Sequence, residues 1–357
     1  MSEKDEKKAI DSTRLLLDKP YDVLVYGNDP AGFYCAQSAA KKGLQVLHLQ
    51  SSSQMGMFPE WITVQYCNPL IGSLTTSHPR DLLIQETGNV QFHWESGELK
   101  KRKLGGFVYD SKELRNALFI QSRSLNINTL TGTLFKKLHP NAMEIDYSGE
   151  SYFVSAKCIV VADGIRSPIR KSLNLESENY LAALQYRVKL SKELKTVHFF
   201  GDSENEDGFG WFIPRGKFAN VGFGVYRAIA QELMFKLHHL LDQLIQQEFI
   251  VSDELKDKQG GLLPVGGPCI PPGRDGVLFV GDAAGLRDPL SPGIGTGIGL
   301  ACQSAIRAGE FIAEEIKKNK TPRVEGYLSC INPLLEGKFH RAALLQKNLG
   351  TTANLQK

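Results

Sequence analysis

The apolar positions of this chain change period several times, and each change marks an element. The run Tyr21-Asp22-Val23-Leu24-Val25-Tyr26 reads as a buried strand over 21–26. A glycine turn follows, then a helix over about 30–42 that Gly43 stops, and a second buried strand over 45–49. Strand, helix and strand in that order set a parallel sheet. Residues 51–104 keep no period except an alternation at 89–94, which predicts a strand of a different sheet. A helix is predicted over about 111–124 and a β-meander over 127–156, with turns at 139–141 and 148–150. A buried strand over 157–162 then ends in Asp163-Gly164. Segment 180–226, β-branched and aromatic but broken by Gly and Asp, predicts a second, mostly antiparallel sheet, and a helix over 228–247 follows it. A last buried strand, 276–280, runs into Gly281-Asp282, and a long helix begins near Gly295.

This order predicts the α/β class, with a discontinuous Rossmann-type domain interrupted by an inserted, mostly antiparallel β-sheet substrate domain. Residues 1–19 are a charged extension. Residues 20–75, 100–172 and 260–305 are expected to form the nucleotide-binding domain, 76–99 and 173–259 the substrate domain, and 306–357 a C-terminal helical segment. At 357 residues the chain has room for about two domains. A surplus of 42 Lys+Arg over 39 Asp+Glu, interspersed along the chain, argues against a nucleic-acid partner. Six scattered cysteines without a C-x-x-C pair predict reduced thiols and no metal site. With neither an apolar signal core nor a spanning run, the chain reads as cytoplasmic. Its tail, with Leu328, Ile331, Leu334, Leu335, Leu344 and Leu345, could cap a cavity, meet a membrane surface or partner, or pack into the core.

Glycine, 34 residues against a usual ~7%, gathers in three clusters that carry the chemistry. Gly27-Asn28-Asp29-Pro30-Ala31-Gly32 joins a strand to a helix, where a dinucleotide pyrophosphate would rest on the helix N-terminus. Asp29 replaces the middle Gly of G-x-G-x-x-G, and a carboxylate there repels phosphate unless it turns away. Gln50 ends the second strand where an acid usually takes the ribose hydroxyls; as a neutral partner it makes a weaker contact. Asp163-Gly164 follows a buried strand, the place where open α/β sheets hold ligands, and Asp-Gly is also a common turn. Gly281-Asp282 delivers another carboxylate, after which Pro289 and the run Gly293-Ile294-Gly295-Thr296 feed a helix N-terminus suited to an electron-rich ring.

Together these motifs resemble the FAD-dependent oxidoreductases of the p-hydroxybenzoate hydroxylase fold, and within them the geranylgeranyl reductase-like family, which is related to the flavin-dependent halogenases. The resemblance spans roughly 20–310. It implies that Gly27, Asp29, Ala31, Gly32 and Gln50 hold the ADP part of FAD, that Asp163 and Gly164 lie near flavin and pyrophosphate, and that Gly281 and Asp282 take the ribityl chain. Pro289, Gly293, Gly295 and Thr296 would lie against the flavin ring. Arg115 matches a cofactor-contacting position and also reads as a solvated helical Arg. Phe209-Gly210-Trp211-Phe212-Ile213-Pro214-Arg215 is similar to the Y-x-W-x-F-P-K substrate-cavity motif of that family, so Phe209, Trp211, Phe212 and Pro214 are expected to line the cavity; a core aromatic strand is the alternative. Gln185-Tyr186 and Gly260–Pro268 also match pieces of the family. Cys67 is the one candidate for the cysteine that such reductases often carry facing the flavin; an inert buried thiol is its other reading. His78, His93, His198 and the His238-His239 pair have no acid–base partner identifiable in the sequence.

The resemblance implies reduction of carbon–carbon double bonds in an apolar, isoprenoid-like small molecule. Hydroxylation of a lipophilic or aromatic substrate is the same-class alternative. Halogenation is disfavoured because residues 51–99 contain no lysine. A non-redox binding protein that has lost tight FAD is the third reading, with Asp29 and Gln50 as its evidence. No second nucleotide-binding unit is visible, so NAD(P)H would bind transiently or a reductase partner would supply electrons.

Overall fold

The computed structural model describes residues 13–51, 61–63, 82–94, 99–176, 180–201, 208–226, 230–251, 255–264, 268–286 and 296–335. Strand β1 (Tyr21–Tyr26) leads through helix α1 (Pro30–Lys41) to β2 (Val46–Gln50). Five short strands follow: β3 (Trp61–Thr63), β4 (Leu83–Thr87), β5 (Asn89–Trp94), β6 (Leu99–Arg102) and β7 (Gly106–Tyr109). Helix α2 (Ser111–Ser124) precedes β8 (Asn128–Thr131), β9 (Thr133–His139), β10 (Ala142–Tyr147) and β11 (Glu150–Val161). Helix α3 (Pro168–Ser172) opens the stretch that carries β12 (Tyr180–Lys189), β13 (Thr196–Gly201), β14 (Gly208–Arg215) and β15 (Phe218–Tyr226). Helix α4 (Ala230–Gln246), β16 (Lys256–Pro264), β17 (Gly273–Arg274), β18 (Val277–Phe279), α5 (Thr296–Lys317) and α6 (Val324–Leu335) complete the described chain.

The first sheet has the order β17-β18-β11-β1-β2-β8, with β18, β11, β1, β2 and β8 mutually parallel. This is the α/β class expected from the sequence. Its central strands β1 and β2 are buried nearly throughout, packed against α1 and, through Tyr26 and Phe135, against the β9–β10 meander. Strand β11 serves two partners. Its exposed, alternating first half pairs antiparallel with β10, and its continuously buried second half pairs parallel with β1, Tyr21 opposite Ala156 through Tyr26 opposite Val161. The expected break between a meander and a strand at 156/157 is therefore one unbroken strand that changes environment. Helix α5 lies against α1, and a Cβ on Gly309 would stand 2.7 Å from the Cys35 carbonyl oxygen, so the two helices approach backbone to backbone.

The second sheet, β16-β12-β15-β14-β13-β5-β6, is antiparallel except where β13 runs parallel to β5. Helix α4 covers one face with Leu233, Leu237, Leu240, Leu241 and Leu244. The other face carries a separate apolar layer around Trp211, Phe199 and Trp61. A small sheet, β3-β7-β4, joins the two halves. The expectation of irregular chain over 51–104 is corrected here: β3, β4 and β6 are too short and too weakly patterned to be read locally, and their partners supply the order. The expected boundary at 259/260 falls inside β16, and that at 305/306 falls inside α5. Tyr327, Ile331 and Leu335 of α6 are core residues, and the Tyr327 hydroxyl donates to the Phe279 carbonyl, so this part of the tail packs inward. Leu344 and Leu345 lie outside the described residues. No helix among the described residues is long and apolar enough to cross a membrane.

Candidate active site

The strand order reverses between β1 and β11, and open sheets of this kind bind ligands at the strand C-termini beside such a reversal. Four segments meet there: Gly27–Asp29 after β1, Gln50 at the end of β2, Asp163-Gly164 after β11 and Gly281-Asp282 after β18. Gly27 has φ +133°, and a Cβ on it would stand 2.0 Å from the Ala162 carbonyl oxygen. Only glycine lets β1 turn this close to β11. On Gly32, in the first turn of α1, a Cβ would be 2.9 Å from that of Ala162, so this glycine sets the distance of helix from sheet.

Asp29 stands at the middle-glycine position and turns its carboxylate onto the helix. Oδ1 accepts from the Ala31 N–H at 2.9 Å, and Oδ2 accepts from the Asp282 N–H at 3.2 Å. The side chain is the N-cap of α1, with Pro30, which has no N–H, as the first helical residue. It lies where the helix dipole favours an anion. The turn after β18 is pressed against it: a Cβ on Gly281 would be 2.9 Å from Asp29 Oδ2.

Around this cap the strand ends leave buried polar atoms without hydrogen-bond partners among the described residues. Gln50 is fully buried with both Nε2 and Oε1 unpartnered. Asn28 donates through Nδ2 to the Ser51 carbonyl at 3.2 Å and leaves Oδ1. Asp163 accepts from the Ser167 hydroxyl at 3.0 Å and leaves Oδ1. Burial pushes the Asp163 carboxyl up to about 7; Ser167 and Arg170 oppose the shift and the charge of Asp29 adds to it. Arg170, 2% exposed, donates through Nε to the Leu175 carbonyl at 2.9 Å and leaves Nη1. An unpaired buried polar atom costs about 1–3 kcal/mol, so a cluster of them at one sheet edge marks a place for a polar ligand.

His48 lies beneath this edge. A carbonyl only accepts, so its Nε2 carries the proton and donates to the Gly27 carbonyl at 2.8 Å; Nδ1 is left as an unpartnered acceptor. Burial holds the ring down to about 4, hence neutral, and it packs edge-on to Phe33. Sequence reasoning missed His48 as a site residue. The signal was a histidine among the apolar residues Val46, Leu47 and Leu49 of β2.

Strand alternation divides the aromatic motif. Phe209 and Trp211 share the face toward Trp61 and Phe199, their own rings 5.6 Å apart. The expectation that Phe212 and Pro214 line the same cavity is corrected: with a period of two they fall on the α4 side, where Phe212 is fully buried against Phe249. A flat floor holds Trp211. Trp211, Gly222, Gln185 and Gln259 form one cross-strand row, and a Cβ on Gly222 would stand 2.3 Å from the indole. The indole N–H crosses that glycine to donate to Gln185 Oε1 at 3.1 Å, and Gln185 Nε2 donates to Gln259 Oε1 at 2.8 Å. Strand β3 joins this face to the first domain, packing on α5 and, through Trp61, on Phe199 at 6.2 Å between ring centroids.

The remaining expected residues are spread more widely. Arg115 is half-buried on α2. Thr296 begins α5. Cys302, one turn and a half further on, is close enough to Asp29 and Asp282 for both charges to add to the upward push of burial on its thiol, which brings the start of α5 to the strand ends. Cys67, His78, Pro289, Gly293 and Gly295 lie outside the described residues. His93 and His198 form a pair, Nε2 to Nδ1 at 2.8 Å, but on the α4 face, away from Trp211; burial, with His93 adding to it, holds His198 down to about 4. His238 and His239 are exposed on α4.

No family model matches the chain. Among curated proteins it is 28% identical over 325 residues to the digeranylgeranylglycerophospholipid reductase of Methanocaldococcus jannaschii, an alignment covering 85% of this chain and 79% of that one. Among solved structures it matches a geranylgeranyl bacteriochlorophyll reductase-like protein from Thermoplasma acidophilum with a TM-score of 0.77 at 24% identity, over 93% of this chain and 88% of that one. The flavin-dependent brominase Bmp2 gives 0.71 at 16% identity, over 93% and 87%. The chain shares the fold of these proteins, and its sequence similarity is to proteins named as reductases.

Proposed function

We propose, from this kinship with the digeranylgeranylglycerophospholipid reductases, that the chain is an FAD-dependent reductase acting on carbon–carbon double bonds of an isoprenoid lipid. One observation carries the reading: a polar sheet edge with unpartnered buried atoms and a glycine-floored aromatic wall occur in the same chain, joined by β3. The residues fit the cofactor's sugar parts well. Gln50 offers an acceptor and two donors to a ribose diol, and Asp282 offers a carboxylate to ribityl hydroxyls. Asp163, protonated for much of the time near pH 7, can donate to phosphate, and the buried Arg170 adds a positive charge.

The chemistry that FAD supplies when bound is hydride transfer to one carbon of a double bond. The chain supplies position and dryness. Trp211, held rigid by Gln185 over Gly222, and Phe209 beside it give an apolar wall along which a polyprenyl chain can lie. Electrons arrive from NAD(P)H or from a reductase partner, neither bound permanently.

The test is anaerobic incubation of FAD-loaded, chemically reduced protein with a digeranylgeranyl glycerophospholipid in detergent micelles, read by mass spectrometry. Hydrogenated lipid is expected, with Trp211→Ala raising KM at least about tenfold, as losing a large apolar contact does. Unaltered lipid in the presence of fully reduced flavin contradicts the reading.

A further inference from the structure

The residue that does not fit a dinucleotide is Asp29. Its carboxylate already holds the N–H groups of Ala31 and Asp282, which are donors at the helix N-terminus and at the β18 turn that a phosphate oxygen would otherwise use. Helix α1 is 12 residues long, so its N-terminus carries a developed dipole, and the fully buried Gln50 at the neighbouring strand end, without a hydrogen-bond partner among the described residues, points independently to a ligand in this place. The charged groups near the cap are Asp163, which feels the charges of Asp29 and Arg170, and Asp282, whose N–H the Asp29 carboxylate holds. A pyrophosphate arriving here meets an anion seated on its donors.

We propose that Asp29 is a built-in competitor for the phosphates of the cofactor, so that FAD is held mainly through its sugars and ring, exchanges readily, and binds tightly only when Asp29 leaves the helix N-terminus. The proposal rests on the FAD-binding reading above and deepens it. It separates two effects of one side chain: capping, which any short polar acceptor performs, and negative charge, which opposes phosphate.

Two substitutions exploit that separation. Asp29→Asn keeps an acceptor for the Ala31 N–H and removes the charge together with the acceptor for the Asp282 N–H, whereas Asp29→Gly removes all three. Cofactor-free protein is titrated with FAD, followed by flavin fluorescence, and with ADP in competition; thermal melting is recorded for each variant. Both variants are expected to bind FAD and ADP at least about tenfold more tightly than wild type, the loss of one like charge at short range being worth that much. Asp29→Asn is expected to melt somewhat below wild type, having lost the bond from the Asp282 N–H and the charge at the helix N-terminus, and Asp29→Gly lower still. Equal or weaker binding in both variants, with wild type still taking up FAD, overturns the proposal and leaves the enzyme reading standing. Failure of all three proteins to take up FAD removes the enzyme reading and the proposal with it.

Discussion

Asp163 illustrates how the strand ends set the behaviour of a single side chain. Its carboxyl is pushed by burial from an ordinary value near 3.8 to about 7. A carboxyl raised on folding makes the native state bind more protons than the unfolded chain between those two values, so its contribution to stability is complete below pH 4 and is lost as pH rises through 7. Asp163→Asn removes that loss. In the absence of cofactor, the melting temperature of the variant is expected to gain on that of wild type steadily from pH 4 to pH 8; curves that stay parallel would show that Asp163 titrates normally. The carboxylate of Asp29 could be read from the sequence as a misfit, but its resting place could not, because the Asp282 N–H that receives it is 253 residues away. The role of His48 could not be read for a similar reason: its partner is the carbonyl of Gly27, in the turn just past β1.

At the scale of elements, the cross-strand row Trp211, Gly222, Gln185, Gln259 explains why a glycine interrupts a strand as regular as β15. The alternation that puts Ala219, Val221, Phe223 and Val225 under α4 leaves Asn220, Gly222 and Gly224 on the other face, where Trp211 lies across Gly222. Gly222→Ala puts a methyl where the indole is, and overpacking of this kind costs about 1–3 kcal/mol. The expected outcome is a destabilisation of that size in urea, accompanied by a shifted tryptophan emission; an unchanged emission would mean that the indole does not rest on the strand. Elements with their own periodicity, β1, α1, β2 and α4, were legible within a few residues. Strands β3, β4 and β6 were not, because three to five residues carry too little pattern and their order comes from partners far along the chain. The aromatic motif of β14 was found, but without a register its two faces read as one.

The two larger sheets of the described residues are tied by polar clasps as well as by β3. Arg215, at the end of β14, reaches Asp110 Oδ2 at 2.7 Å, while Oδ1 of that carboxylate caps α2. Gln85 of β4 donates to the Leu194 carbonyl at 2.6 Å and accepts from the Gly216 N–H at 2.7 Å. These clasps hold the strand that carries the aromatic wall in a fixed relation to the helix bearing Arg115, as the proposed site requires. The most direct check of that site is the visible absorption spectrum of the purified protein before and after incubation with FAD, followed by anaerobic addition of NADPH or a chemical reductant. A flavin spectrum that strengthens with FAD and bleaches on reduction is expected. A protein that stays colourless and takes up no flavin would contradict the account and leave the apolar wall as a binding surface without redox chemistry.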